Sequence, residues 1–273
     1  MLDYVNISTQ LIHINMVKSA YKNSKGSLMQ KIIFLLNLLF ISVLNAETVT
    51  ANYKVEFGIL GEIGIANALL TKDQNSYVID VELKATGLAK TLSGNRKEQH
   101  ISKGHIENGM MVSDLYQVIK SHGSTTTNKI YIIDHERKTV TKEYKRWKRG
   151  KLTKNKKITM DYYSKDDLLT LYFNLDKKIL DKKDPKAYTF KAIGAEKQKG
   201  SVDVVIPKEK NLKEYKDAVG ERNDDWYARA IIHQNIFSSD KGELLLRIGK
   251  DGITQKAVLK DLIFFGDIRA IRL

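Results

Sequence analysis

The chain has no cysteine and only two prolines among its 273 residues. Without cysteine it forms no disulfide, has no thiol nucleophile and carries no lipid-modified cysteine, so a cysteine-anchored lipoprotein is excluded. Proline is scarce, which leaves long segments able to pair as strands, because proline lacks the N–H that a sheet requires. The charge is unbalanced, with 46 lysines and arginines against 32 aspartates and glutamates.

The familiar signatures of catalysis and nucleotide binding are missing as well. The chain contains no Gly-x-Ser-x-Gly elbow, no His-Glu-x-x-His, no Walker loop and no Rossmann glycine pattern. We therefore expect a protein that is not an enzyme and that uses no cofactor.

An apolar run near the N-terminus carries the clearest information about location. Met29, Gln30 and Lys31 supply a short basic start, residues 32–44 are almost wholly apolar, and Ala46 is a small residue at a cleavage position. This is the pattern of a secretory signal peptide. The run of about 13 residues is shorter than the roughly 20 needed to span a bilayer. The sequence thus predicts export to the periplasm of a Gram-negative bacterium, with cleavage near Ala46.

The domain organisation follows from that assignment. Residues 1–28 are polar and aperiodic, and we interpret them as a leader extension or a misplaced start, with translation beginning at Met29. The alternative is an uncleaved N-terminal anchor, because Leu44 is a poor residue three positions before the proposed cut. After the signal peptide at 29–46, residues 47–273 are long enough for a single β-rich domain with its own core.

Period-2 alternation dominates this domain. Tyr77, Ile79, Val81 and Leu83 alternate with mostly polar neighbours, and Asn108-Gly109 is a strong hairpin signal. After two opening strands and the one over 77–84, further strands are predicted over 96–106, 110–120, 128–134, 138–147, 188–194, 200–206, 228–236, 243–249, 254–260 and 262–272. A sheet of this size must curl to bury one face. We expect a mainly β fold, with one large, strongly curved antiparallel sheet shaped as a half-barrel or β-spiral.

One segment has helical periodicity instead. Ser164 is a plausible N-cap, Asp166 and Asp167 favour a first helical turn, and leucines then recur at helical spacing. The sequence predicts one central helix at about 165–175. Its apolar face is formed by Leu168, Leu171, Tyr172 and Leu175. These side chains either plug the sheet as ordinary core or line a site for a hydrophobic ligand such as an acyl chain.

A basic stretch with interleaved aromatics begins within the strand at 138–147 and runs from Lys142 to Lys157. Its centre, Lys145, Arg146, Trp147, Lys148 and Arg149, is a candidate for binding an anionic surface, because each cation near such a surface adds about 1 kcal/mol. Export argues against nucleic acid and favours lipid headgroups, lipopolysaccharide phosphates or acidic glycans as partners. The alternative is a solvated hairpin in a lysine-rich protein.

Metal and carboxylate sites are weakly signalled. His100 and His105 lie five positions apart on one predicted strand and should point to opposite faces, so no metal site is predicted. Glu221, Asp224 and Asp225 precede Trp226 in a loop that could serve a carboxylate hydrolase. Such loops are more often simply polar, with one aromatic residue packed beneath them.

Several short motifs resemble a family of secreted bacterial proteins, the domain-of-unknown-function family numbered 3108. They are Gly61-Glu62-Ile63-Gly64, Gly87-Leu88, the run from Asp166 to Tyr172, and the closing pattern from Leu244 through Gly252 to Gly266. The resemblance covers most of 51–273. It implies a periplasmic curved β-sheet, similar in outline to the half-barrels that carry lipoproteins or lipids, and it brings no catalytic residues.

These observations support three functions. The first is a non-catalytic periplasmic binding or envelope-maintenance module that holds a lipid or another hydrophobic envelope component. The second is a periplasmic hydrolase of glycan or ester bonds. The third is a structural partner of an envelope complex that adds a strand at the sheet edge.

Overall fold

The computed structural model describes residues 46–233, 242–260 and 267–273. More than half of these residues belong to fourteen strands. In chain order the strands are β1 Glu47–Phe57, β2 Glu62–Lys72, β3 Ser76–Ala85, β4 Lys97–Glu107, β5 Met110–His122, β6 Thr125–Asp134, β7 Thr139–Lys148, β8 Lys151–Thr159, β9 Ala187–Lys191, β10 Ser201–Val205, β11 Trp226–Ile231, β12 Glu243–Ile248, β13 Thr254–Leu259 and β14 Ile268–Arg272. The leader 1–28 and the predicted signal peptide 29–46 lie outside this part of the chain, apart from Ala46.

All fourteen strands belong to one antiparallel sheet. Its order is β8-β7-β6-β5-β4-β3-β2-β1-β14-β13-β12-β11-β10-β9. Sequence neighbours pair throughout, except where β1 pairs with β14 in a register that sets Tyr53 against Arg272. That pairing joins the two halves of the chain, while β8 and β9 form two separate edges. The sheet is therefore open and not closed into a barrel.

In the described part of the chain, three α-helices accompany the sheet: α1 Gly87–Leu92, α2 Leu168–Lys178 and α3 Glu209–Val219. The central helix α2 matches the predicted one but starts three residues later, because Asp167 rather than Ser164 caps it. Helix α3 was not predicted, although Tyr215 and Val219 are buried against the sheet. Short 3₁₀ turns occur at Gly58–Leu60 and Lys197–Gly200. Within the described ranges no helix is long and apolar enough to cross a membrane.

The sheet curls around α2. On one side of the helix, Thr170 bonds to Tyr77 of β3. On the other side, Leu171 and Leu175 belong to the same buried cluster as Leu246 of β12. Strands so far apart in the sheet order reach one short helix only if the sheet is strongly curved. The prediction of a large, curved antiparallel sheet about a central helix is thus confirmed.

Strand β8 was not predicted from the sequence. Every residue of β8 is exposed to solvent, and four of its nine residues are lysines. A strand with no buried face lacks the alternation that reveals strands, so its basic sequence resembled a loop. Lysines on such an edge discourage pairing with another chain.

Candidate functional site

The start of helix α2 is anchored by a fully buried carboxylate. Oδ1 of Asp167 accepts the backbone N–H groups of Leu169 at 2.7 Å and Thr170 at 3.0 Å. Oδ2 accepts the hydroxyls of Ser102 at 2.5 Å, Ser113 at 2.6 Å and Thr170 at 3.0 Å. Asp167 therefore caps the helix and binds it to β4 and β5 at the same time.

Tyr77 completes this polar network. Its hydroxyl lies 2.8 Å from the Thr170 hydroxyl and 3.0 Å from that of Ser102. Burial raises the pKa of Asp167, while the hydrogen bonds from Ser102, Ser113 and Thr170 oppose that rise. Because every member has partners, the network fixes the position of α2 on the sheet.

A cavity lies between α2 and the sheet. Its volume is about 290 Å³, roughly twice that of an engineered 150 Å³ apolar cavity that binds benzene. The four residues predicted to contact a hydrophobic ligand, Leu168, Leu171, Tyr172 and Leu175, all line it. Leu171 and Leu175 are also buried in the core cluster beside the cavity. These two leucines therefore both pack as ordinary core and line the candidate site for a hydrophobic ligand.

Small side chains on the sheet create this space. Five alanines from four strands line the cavity, namely Ala66, Ala68, Ala230, Ala257 and Ala270. Because an alanine side chain ends at Cβ, it is too short to pack against the leucines of α2 across the gap. Ala66, Ala257 and Ala270 are only partly buried, so the space is a groove that is open to solvent on one side.

Two hydroxyls of the cavity are already engaged, whereas the buried side-chain hydroxyl of Thr254 has no hydrogen-bond partner among the described residues. The Tyr53 hydroxyl donates to the carbonyl oxygen of Thr254 at 2.9 Å, and the Tyr172 hydroxyl accepts the Thr254 N–H at 2.9 Å. Burial, with the neighbouring Tyr172, raises the pKa of Tyr53, which keeps its hydroxyl neutral. None of the described residues that line the cavity carries a charged side chain. Its chemistry suits an apolar ligand.

The predicted anionic-surface residues lie at the tip of one hairpin. Lys145, Arg146, Trp147 and Lys148 end β7, and Arg149 is in the turn to β8. Arg149 and Gly150 have φ angles of 51° and 74°, as in the two-residue turns that hairpins favour. The five residues are close together but alternate between the two faces of the ribbon.

Lysines from β6, β7 and β8 gather on one face of these neighbouring strands. A pocket of about 240 Å³ is lined by Lys129, Lys142, Tyr144, Lys154, Lys156 and Ile158. Glu196 forms ion pairs with Lys129, at 2.8 Å, and with Lys142. Lys154 lies over the ring of Tyr144, 5.4 Å from its centroid. Glu196 neutralises part of the positive charge of the pocket, and the excess of lysines that remains favours an anion.

A chain of contacts links this lysine pocket to the cavity. The Lys142 ammonium lies 5.8 Å from the ring centroid of Tyr131, which stacks on Tyr116 at 5.7 Å. Leu168 packs against the cluster that contains both tyrosines, and it also lines the cavity. One face of the sheet thus runs from the lysines to the apolar space.

The acidic loop before Trp226 gives each carboxylate its own cation. Glu221 pairs with Lys216 at 2.5 Å, Asp224 with Lys250 at 3.2 Å, and Asp225 with Arg247 at 3.3 Å. Trp226 itself is buried in the core cluster under the helix. The loop is thus a polar segment whose carboxylates are ion-paired, with one aromatic residue packed beneath it.

Helical periodicity indicated the wall of the cavity that α2 forms, but no sequence pattern indicated the floor that the sheet forms. Ala66 and Ala68 alternate along β2, yet an alanine in a strand pattern signals neither core nor ligand contact. Lys129 was also missed, because it lies apart from the basic stretch and joins it only through the pairing of β6 with β7.

No protein-family profile and no curated protein matches the chain. Among solved structures, it is similar to the beta-barrel-like protein of domain of unknown function DUF1849 from Brucella abortus. The sequence identity is 10%, the TM-score is 0.47, and the alignment covers 84% of this chain and 96% of that one. The fourteen-stranded sheet itself shows that the chain is β-rich, and none of these comparisons identifies family 3108.

Proposed function

We propose that this protein is a non-catalytic binding module of the periplasm that holds a hydrophobic chain of an envelope component. The observation that carries the proposal is the apolar cavity between α2 and the sheet. It is lined by uncharged side chains, and the hydroxyls of Tyr53 and Tyr172 are engaged by the β13 backbone. An acyl chain or another slender apolar group matches such a lining.

The lysine pocket extends the proposal to an amphiphile. Its ammonium groups lie on the sheet face that continues into the cavity through Tyr131, Tyr116 and Leu168. An anionic head beside the lysines and an apolar chain beneath α2 would use both features. The hairpin tip from Lys145 to Arg149 would then meet the anionic surface from which the ligand comes.

Binding of a fluorescent fatty acid tests the apolar part directly. Replacing Ala68 or Ala230 by phenylalanine fills the cavity floor, so we expect at least a tenfold loss of affinity for the probe. The exposed Ala187 of β9 offers a matched control, because Ala187→Phe adds the same side chain away from the cavity.

Overpacking can prevent folding, so the milder Ala230→Leu is measured beside the phenylalanine variants, and each is checked by thermal melting. A folded cavity-filled variant that binds the probe as well as the wild type would contradict the proposal. So would a wild-type protein that binds no acyl probe.

Export and family membership are separate parts of the proposal. The signal-like run at 29–46 supports a periplasmic location, and the motifs from Gly61 and Asp166 support a relation to family 3108. Native mass spectrometry of protein taken from its own host without detergent would give the mature N-terminus and any bound mass together. A mass that begins near Glu47 with a dissociable lipid-sized adduct is expected, whereas a chain that retains Met29 would contradict cleavage.

A further inference from the structure

Two histidines and one aspartate from distant positions converge on the sheet. Nδ1 of His105 lies 2.9 Å from Oδ1 of Asp114 and 3.1 Å from its Oδ2. Nε2 of His135 lies 3.0 Å from the same Oδ1. The two imidazole rings meet edge to face at 5.5 Å between centroids. One donor atom from each residue falls within 4.8 Å of the other two.

A β-bulge brings Asp114 to this position. In an unbroken strand Asp114 would share the face of Val112 and Tyr116, which are 4% and 1% exposed. The pairing of β4 with β5 shifts by one residue there, and Ser113 rather than Asp114 turns to the buried carboxylate of Asp167. The Asp114 side chain is consequently 46% exposed beside His105. Bulges commonly re-aim a side chain next to functional sites.

Hydrogen bonds to both ring nitrogens fix the orientation of the His135 imidazole. Its Nδ1 lies 2.8 Å from the Tyr163 hydroxyl, while its Nε2 contacts both Asp114 and the carbonyl oxygen of Ser113, each at 3.0 Å. If the proton moves to Nδ1, it is donated to Tyr163, and the Nε2 lone pair becomes free to bind a cation beside Asp114. Such outer hydrogen bonds fix the tautomer and the ring orientation of metal-binding histidines.

We propose that His105, Asp114 and His135 form a binding site for a divalent transition-metal ion of the zinc class. Two imidazole nitrogens and one carboxylate oxygen are ligands that zinc takes in open sites, where water completes the coordination. The partial exposure of His105 and Asp114, 43% and 46% of their side chains, leaves room for that water. Nitrogen ligands disfavour magnesium and calcium, which prefer oxygen.

A second carboxylate lies close by. This residue is Glu107, whose carboxylate is paired with the Lys165 ammonium at 2.5 Å. Glu107 therefore adds negative charge to the surroundings without being free to act as a ligand. The site is independent of the apolar cavity, so the two proposals can fail separately.

Calorimetric titration of the untagged full chain with Zn²⁺, after chelator treatment and desalting, tests the site. We expect binding of one ion per chain, with no competition from a large excess of Mg²⁺. Substitution with Co²⁺ should give the visible absorption of a four-coordinate ion. Failure to bind Zn²⁺, or displacement of Zn²⁺ by Mg²⁺, would overturn the proposal.

Variants locate the ion. His135→Ala and the isosteric Asp114→Asn should each weaken Zn²⁺ binding at least tenfold, while His122→Ala, at an exposed histidine elsewhere on the sheet, should leave it unchanged. Melting temperatures confirm that each variant is folded. Tyr163→Phe should weaken binding about tenfold, since it removes the orienting hydroxyl. Undiminished binding in folded Asp114→Asn and His135→Ala would overturn the site.

Discussion

The hydroxyl of Ser113 donates a hydrogen bond of 2.6 Å to Oδ2 of Asp167, a residue 54 positions further along the chain. Both side chains are fully buried. This contact joins the β5 bulge to the first turn of α2. It therefore connects the two parts of the molecule for which we propose ligands, the helix that covers the cavity and the bulge that carries Asp114.

Asp167→Ala should destabilise the protein by about 3 kcal/mol. The substitution removes an N-cap, which costs roughly 1 kcal/mol, and leaves the buried hydroxyls of Ser102 and Ser113 without their acceptor, which costs about 1–3 kcal/mol. Urea unfolding measures the change. Asp217→Ala, at an exposed position of α3, should change stability by less than about 0.5 kcal/mol. The Asp167→Ala variant should still bind an acyl probe. Loss of probe binding by folded Asp167→Ala protein would show that α2 does more than cover the cavity.

The free energy of unfolding should fall in acid because the Glu196 carboxylate becomes protonated. Burial opposes ionisation of this carboxyl, but hydrogen bonds from Lys129, Lys142 and Tyr131 prevail and lower its pKa from 4.5 to about 2. A carboxyl with a depressed pKa stabilises the fold above its unfolded pKa, and this stabilisation disappears as the pH falls from about 4.5 to about 2.

The size of that contribution is on the order of 2 kcal/mol, after allowance for a side chain that is partly exposed to solvent. Glu196→Gln should lose it at neutral pH and show a flatter stability profile between pH 4.5 and 2. Denaturant unfolding at a series of pH values measures both effects. A wild type and variant with parallel profiles in that window would contradict the role of Glu196.

Gly104→Ala should be strongly destabilising. A Cβ atom on Gly104 would lie 1.9 Å from the carbonyl oxygen of Val112, and backbone on a paired strand cannot yield easily. We expect a loss of more than about 2 kcal/mol in the free energy of unfolding. The neighbouring Lys103 is exposed, so Lys103→Ala is the control, with an expected change within about 0.5 kcal/mol. Equal stabilities of the two variants would mean that β4 and β5 do not approach so closely.

Reversal of charge at the hairpin tip should abolish binding to anionic vesicles at low salt. Replacing Lys145, Arg146, Lys148 and Arg149 by glutamate turns attraction to phosphate headgroups into repulsion, and salt screens the wild-type attraction. Co-sedimentation with vesicles of phosphatidylglycerol measures it. In the control variant, four exposed lysines elsewhere are replaced by glutamate, namely Lys183, Lys208, Lys210 and Lys213. Binding that is lost equally in both variants would indicate net charge rather than a surface.

The sequence alone was sufficient for the class of fold and for the helix face. Alternation along strands such as β3, and the spacing of Leu168, Leu171 and Leu175, depend on which side of a local element faces the core. That information is contained in a few consecutive residues. The predicted helix differed from α2 by three residues at each end, because Ser164 and Asp167 are both acceptable caps and only the contacts with Ser102 and Ser113 select Asp167.

Tertiary structure decided the rest. The edge strand β8 has no buried face, so no apolar period marks it. Helix α3 does carry apolar residues at helical spacing, Leu212, Tyr215 and Val219, but they are few among charged neighbours and were overlooked. Asp114 reaches His105 and His135 only because a bulge shifts the register of β5, and no local pattern encodes such a shift. The cavity likewise depends on alanines from four strands meeting one helix. Periodicity records which residues turn inward, whereas the long-range pairing of strands determines which of them meet.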